Sequence, residues 1–220
     1  MTVVPLHDAA FSHRCDKLRL REFGPADAPE VQRLHADPRV RALLPDEQPL
    51  HEPAWAQQFT ACLPAFYRRH PGLGIWRCAV PQDGGERFAG WFSLMPVQPG
   101  GELQALGARP GDAELGSRLA PDHWGSGLSL AGGEVLLRHA FDTLALRTVW
   151  GICHPGNRGA RVCLEALGFS WRGRAPYEGQ LSDHHALDAA TWHSVRTLSR
   201  RDRLRRVRHT PSSPSTLTSP

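Results

Sequence analysis

Along this chain, stretches of strict apolar/polar alternation give way to stretches where apolar positions recur every three or four residues. Residues 17–23, Lys-Leu-Arg-Leu-Arg-Glu-Phe, alternate and predict a first strand. Pro25, Ala26 and Asp27 open a helix with Val31 and Leu34 inward, and Asp37-Pro38 interrupts it. Residues 53–69 predict a further helix, with Trp55, Phe59, Cys62 and Phe66 at helical spacing and a kink at Pro64. Residues 75–80 and 88–95 are apolar, strand-length runs joined by the hairpin turn Asp83-Gly84-Gly85. The Gly- and Pro-rich residues 96–112, with a short piece at 102–106, predict a long hairpin connection, with a lid as the other reading.

Residues 113–119 form a strand with Leu115 and Leu119 on one face. A helix follows, with Leu130, Gly133, Leu137, Ala140, Phe141 and Leu144 on one side. Glu134, Arg138 and Asp142 step along its flank as opposite-charge pairs. Next come a strand at 147–153, a helix at 158–167 ended by a left-handed Gly168, and a strand entered through Phe169. A last strand at 183–188 leads to a helix capped by Thr191 and carrying Trp192, Val195 and Leu198.

At 220 residues there is room for one ordinary domain with a sizeable core, plus tails. Residues 1–16 read as an arm, 17–198 as the domain, and 199–220 as a basic run followed by a Ser/Thr/Pro segment expected to be disordered from Thr210. The net charge of +4 owes much to the cationic run between Arg196 and Arg208. That run reads as a solvated basic helix end; with no aromatics interleaved, nucleic acid is an unlikely partner. No run approaches the roughly 20 apolar residues of a membrane helix, and no secretory signal is visible. Five cysteines without a Cys-x-x-Cys pair predict reduced thiols and a cytoplasmic protein. No His/Cys cluster has metal-ligand spacing, so no metal is expected.

The candidate chemistry lies between the strand at 113–119 and the helix after it. Pro121-Asp122-His123-Trp124-Gly125-Ser126-Gly127-Leu128-Ser129 is a glycine-rich turn at a helix start, where free N–H groups and the positive end of the helix dipole suit an anion. A Walker loop is excluded, since Gly132-Gly133 is followed by Glu134 and Val135. A dinucleotide fingerprint is excluded by Leu130 in place of a third glycine. A nucleophile elbow is excluded by Trp124 and Leu128 on either side of Ser126.

What remains, Trp124-Gly125-Ser126-Gly127-Leu128-Ser129, resembles the acyl-CoA pyrophosphate loop of the GNAT N-acetyltransferases in their Rim (ribosomal-protein-alanine acetyltransferase) branch. The segment from His154-Pro155-Gly156-Asn157 to Leu164-Glu165-Ala166-Leu167-Gly168-Phe169 is similar to a second block of that branch. The resemblance covers roughly residues 18–192. It implies an α/β fold: a mixed, mostly antiparallel twisted sheet of about six to seven strands flanked by helices, with acyl-CoA in the splay between two parallel central strands. The implied activity is acetyl-CoA-dependent N-acetylation of a primary amine, a protein N-terminus or a small amine, by direct attack. No membrane partner is implied, and a homodimer is compatible with it. The N-terminal helices would form one wall of the acceptor pocket.

Such chemistry needs a held cosubstrate, a base for the ammonium and a donor for the developing oxyanion. The resemblance assigns acetyl-CoA to Trp124, Gly125, Ser126, Gly127, Leu128 and Ser129, and its pantetheine arm to Asn157, which also suits a helix N-cap. Glu114 is the candidate base; its other reading is a solvated strand-end glutamate. His123 titrates in the right range but reads as a surface histidine, and His184 and His185 face opposite sides of one strand. The usual general acids are missing, because Ala160 and Leu164 stand at their positions. Tyr177 is a candidate acid, with Ser129 as another hydroxyl. The rival function is a non-catalytic acyl-CoA-binding module or sensor.

Overall fold

The computed structural model describes residues 12–44 and 50–209. The eight strands are β1 (Ser12–Cys15), β2 (Leu18–Glu22), β3 (Gly74–Gln82), β4 (Gly85–Pro96), β5 (Ala113–Leu119), β6 (Thr148–Cys153), β7 (Ser170–Tyr177) and β8 (Gln180–Asp188), in one sheet of order β1-β2-β3-β4-β5-β6-β8-β7. Every neighbouring pair is antiparallel except β5 with β6. The expected mixed sheet is therefore present. It is longer by β1, because residues 12–15 pair with β2 instead of ending in an arm. Residues 1–11 and the Ser/Thr/Pro segment from Thr210 lie outside the described residues.

The helices are α1 (Ala28–Ala36), α2 (Pro38–Arg41), α3 (Pro53–Arg69), α4 (Glu102–Ala105), α5 (Leu128–Arg138), α6 (Arg158–Leu167), α7 (Ala189–Val195) and α8 (Arg200–His209). One face of the sheet, with Leu20, Trp76, Phe92, Leu94, Leu115 and Val149, buries against Leu136, Leu137, Leu164, Leu167 and Trp192 of α5, α6 and α7. On the opposite face Phe23, Ile75 and Trp91 pack under α1 and α3. Separately on that face, Trp150 and Ala186 pack with Leu103 of α4. Between these two apolar patches runs β5, carrying Glu114, Gly116 and Arg118 outward from the main core.

Several local expectations need correction. In α3 the buried positions are Ala56, Thr60, Leu63 and Tyr67, one residue on from the expected stripe, and Cys62 is exposed. The bulkier Trp55, Phe59 and Phe66 flank that line, so volume misled the choice of centre. Asp188, not Thr191, caps α7: its carboxylate accepts from the Thr191 N–H at 2.8 Å. Glu134 of α5 pairs with Arg203, and Asp142, in the π-helical turn His139–Thr143 that continues α5, pairs with Arg196; both partners come from beyond β8. Residues 96–112 form a folded connection, closed by Val97 N–H to the Asp112 carbonyl and seated by buried Leu103. Gly168 ends α6 in the left-handed region as expected, with φ +100°.

Candidate active site

The loop after β5 starts as a single 3-10 turn, Pro121–His123, because Pro121 fixes φ at its first position. His123 is buried there, contrary to the surface reading, and burial lowers its pKa, with Arg87 adding to the effect. Trp124 lies half exposed, but its indole N–H donates to the Leu119 carbonyl at 2.8 Å, so the side chain braces the loop. Ser126 also braces: its hydroxyl donates to the His123 carbonyl at 2.7 Å and accepts from Leu128 N–H at 3.3 Å. Gly125 and Gly127 take φ +71° and +81°, a region that side chains resist. The N–H groups of Gly125, Ser126, Gly127 and Ser129 make no hydrogen bond among the described residues. Leu128 contributes a buried side chain that anchors the start of α5.

At the other end of β5, parallel pairing with β6 is limited to Ala113↔Val149 and Glu114↔Trp150. From there β5 stays with β4 and β6 with β8, so the two strands part. Glu114 sits at the fork. Tyr177, the last residue of β7, donates its hydroxyl to Glu114 Oε2 at 2.5 Å. Burial pushes the Glu114 carboxyl up to about 7, and neighbouring Glu178 adds to this while the Tyr177 hydrogen bond opposes it. Tyr177 itself is raised above the ordinary phenol value, by burial first and then by the charge of Glu114. Its hydroxyl is thus a committed donor to the carboxylate. Glu114 is half-buried and hydrogen-bonded here, a different setting from a fully solvated strand-end residue.

His184 lies on the same side as this pair, through the register Ile152↔His184 and Trp150↔Ala186. It is fully buried, with its ring 5.9 Å from that of Tyr177 and Nε2 3.2 Å from the Ala175 carbonyl oxygen. Strand alternation turns His185 to the opposite face. Arg118 lies two alternations along β5 from Glu114, its guanidinium 4.9 Å over the Trp91 ring and 2.7 Å from His35 Nε2. Burial, then Arg118 and Arg41, hold His35 down at about 3, so it stays neutral and accepts.

Asn157 Oδ1 accepts from Ala160 N–H at 3.0 Å, which is the N-cap of α6; its amide NH2 makes no hydrogen bond among the described residues. Leu164 is buried in the main core against Gly151, and Ala160 packs at that core's edge. Neither position supplies a hydroxyl. Among the described residues no group of three or more His, Cys, Asp or Glu side chains could hold a metal, and no helix is long and apolar enough to cross a membrane.

An N–H-lined loop on one strand and a desolvated carboxylate at its fork are features that a family assignment should explain. Residues 17–170 match the sequence pattern of the acetyltransferase (GNAT) domain. The chain belongs to the GNAT acetyltransferase family. It is 28% identical over 154 residues to FsC-acetyl coenzyme A-N(2)-transacetylase of Aspergillus fumigatus, covering 70% of this chain and 63% of that one. The chain therefore spans less than two thirds of that relative's length. The GNAT fold is shared with the ribosomal-protein-S5-alanine acetyltransferase of Vibrio fischeri, at TM-score 0.66 and 16% identity over 83% of this chain and 98% of that one. It is shared also with Mycobacterium smegmatis RimJ, solved in complex with CoA-disulfide, at TM-score 0.64 and 19% identity over 86% and 88% of the two chains.

Sequence reasoning missed two features of this GNAT site. The Tyr177–Glu114 bond joins residues 63 apart in sequence, and no local pattern signals it. The second is Arg200, the first residue of α8, whose guanidinium lies against Gly127. A signal for the second existed: Leu204 and Val207, three apart within the arginine run, mark a helix face that packs on the main core.

Proposed function

We propose that this protein transfers the acetyl group of acetyl-CoA to a primary amine, with Glu114 as general base. The observation that carries the reading is Glu114 itself: a carboxylate at the fork of β5 and β6, oriented by Tyr177 and held near neutrality by burial. A base with a pKa near the working pH combines availability with driving force, and an α-amino group starts only about one unit higher, near ~8. The amine nitrogen gives its proton to Glu114 and its lone pair to the acyl carbon, while the sulfur leaves with the C–S bonding pair. A free thiolate of pKa ~8.5 departs without obligatory protonation, which accommodates Ala160 and Leu164.

Acetyl-CoA supplies the activated acetyl group. The residues fit it: Gly125, Ser126, Gly127 and Ser129 present free N–H groups at a helix start, a Cβ built on Gly125 meets nothing within 4 Å, and Asn157 keeps a free amide. The acceptor is a protein N-terminus or a small amine. An amine acceptor accords with the transacetylase and alanine-acetyltransferase names of the relatives. The buried, hydroxyl-free side chain of Leu164 and the commitment of the Tyr177 hydroxyl favour a second reading, a non-catalytic acyl-CoA sensor. Release of CoA-SH in a screen of small amines and N-terminal peptides separates the two. Transfer to any amine supports the enzyme; tight acetyl-CoA binding with no transfer supports the sensor.

A further inference from the structure

The C-terminal arginine run is a helix, largely solvated as expected but with one packed face. Arg203 is buried, its Nη2 lies 2.7 Å from Glu134 Oε1 of α5, and its Nε donates to the Leu198 carbonyl at 3.2 Å. Leu204 and Val207 pack against the main core, and Ser199 caps the helix by accepting from Asp202 N–H at 3.2 Å. Arg201, Arg205 and Arg206 face solvent. These contacts fix the first turn of α8 beside the start of α5.

The result is that Arg200 overlies the phosphate loop. A Cβ built on Gly127 would stand 2.1 Å from Arg200 Nη2 and 2.3 Å from its Cζ and Nη1, so the guanidinium lies flat against the glycine. The left-handed backbone favours Gly127, and a Cβ there would also push the exposed Arg200 guanidinium aside. Among the described residues no carboxylate pairs with Arg200, and the nearby acid on α5, Glu134, is committed to Arg203. A cation here faces the positive end of the α5 dipole and the unpaired N–H groups of the loop, an arrangement that is unfavourable on its own. An anion held between them reverses that sign, and a planar guanidinium is suited to two phosphate oxygens at once.

Resting on the reading above, we propose that Arg200 binds the pyrophosphate of acetyl-CoA from the side opposite the loop N–H groups, making α8 part of the cosubstrate site. The test is calorimetry on the full chain with acetyl-CoA and with dephospho-CoA, which keeps the pyrophosphate but lacks the 3′-phosphate. Arg200→Ala should weaken both ligands by a similar factor of about 10, the lower range for a charged hydrogen bond at an exposed site. Arg200→Lys should recover part of this, the salt dependence of binding should become shallower in Arg200→Ala, and Arg201→Ala should bind as the wild type does.

Unchanged affinity in Arg200→Ala, or a loss equalled by Arg201→Ala, overturns the proposal. Tighter binding overturns it too, since Arg200 would then cover the cradle instead of completing it. A loss confined to acetyl-CoA with dephospho-CoA unaffected would assign Arg200 to the 3′-phosphate and also contradicts it. Failure of the wild type to bind acetyl-CoA would instead remove the underlying reading.

Discussion

The two ends of β5 present opposite physical settings. At its C-terminal end the loop from Trp124 to Ser129 lies beside Arg200 and offers backbone N–H groups, while its Trp124 and Ser126 side chains brace the turn. At its N-terminal end burial raises the proton affinity of Glu114, while Tyr177, from a distant strand, orients the carboxylate and opposes that rise. In the proposed reaction the loop would meet a permanent charge and need geometry alone. The fork would handle a proton, and so need a low-dielectric setting. A change at one end should therefore be felt in binding and a change at the other in rate.

The largest expected effect is at the fork. Glu114→Gln keeps shape and removes the base, so transfer at neutral pH should fall by about 10²–10⁴, as loss of a general base usually gives. Acetyl-CoA affinity measured on the same variant should stay within a factor of two or so, and raising the pH should recover part of the rate as free amine replaces ammonium. A comparable loss of affinity would break the division between the two ends. At the loop, Gly127→Asp places a Cβ and a carboxylate against Arg200 and the cradle, and acetyl-CoA affinity should drop by about 10–100-fold. Gly125→Ala should cost less affinity than Gly127→Asp, since a Cβ there meets no protein atom and backbone strain is about 1–2 kcal/mol.

Smaller effects sharpen the account of Glu114. The Tyr177 hydrogen bond lowers the carboxyl pKa, so Tyr177→Phe should move the acidic limb of kcat/KM upward by up to about one unit and slow transfer several-fold at neutral pH. A downward move would show that Tyr177 acts otherwise. A further effect is on stability. Folding raises this pKa from 4.5 to about 7, so the group's contribution is present below pH 4.5 and is lost as pH rises through about 7. Glu114→Gln should therefore raise Tm relative to wild type by more at pH 8 than at pH 5, as read by calorimetric melting.

Much of the fold was legible because alternation and helical period report burial directly, as with Leu18 and Leu20 of β2 or Leu164 and Leu167 of α6. The glycine-rich loop was legible for a related reason: left-handed backbone at Gly125 and Gly127 restricts residue choice locally. Properties that arise between elements were not. Pairing of residues 12–15 with β2 depends on an edge being available, not on any strong pattern of their own. The orientation of Glu114 depends on β7 crossing back to place Tyr177, and the position of Arg200 depends on Leu204 and Val207 finding the core. In the arginine run, charge density hid two apolar positions that decide where the helix goes.

The central claim is that the fold tunes Glu114, and direct titration of its carboxyl tests it without any acceptor. In protein labelled with ¹³C at the glutamate side-chain carboxyl, the resonance missing from Glu114→Gln identifies the group, and its shift can be followed across pH. A midpoint near 7 in the wild type, moving upward in Tyr177→Phe, is the predicted result. A midpoint near 4.5, the value of an ordinary glutamate, would contradict it.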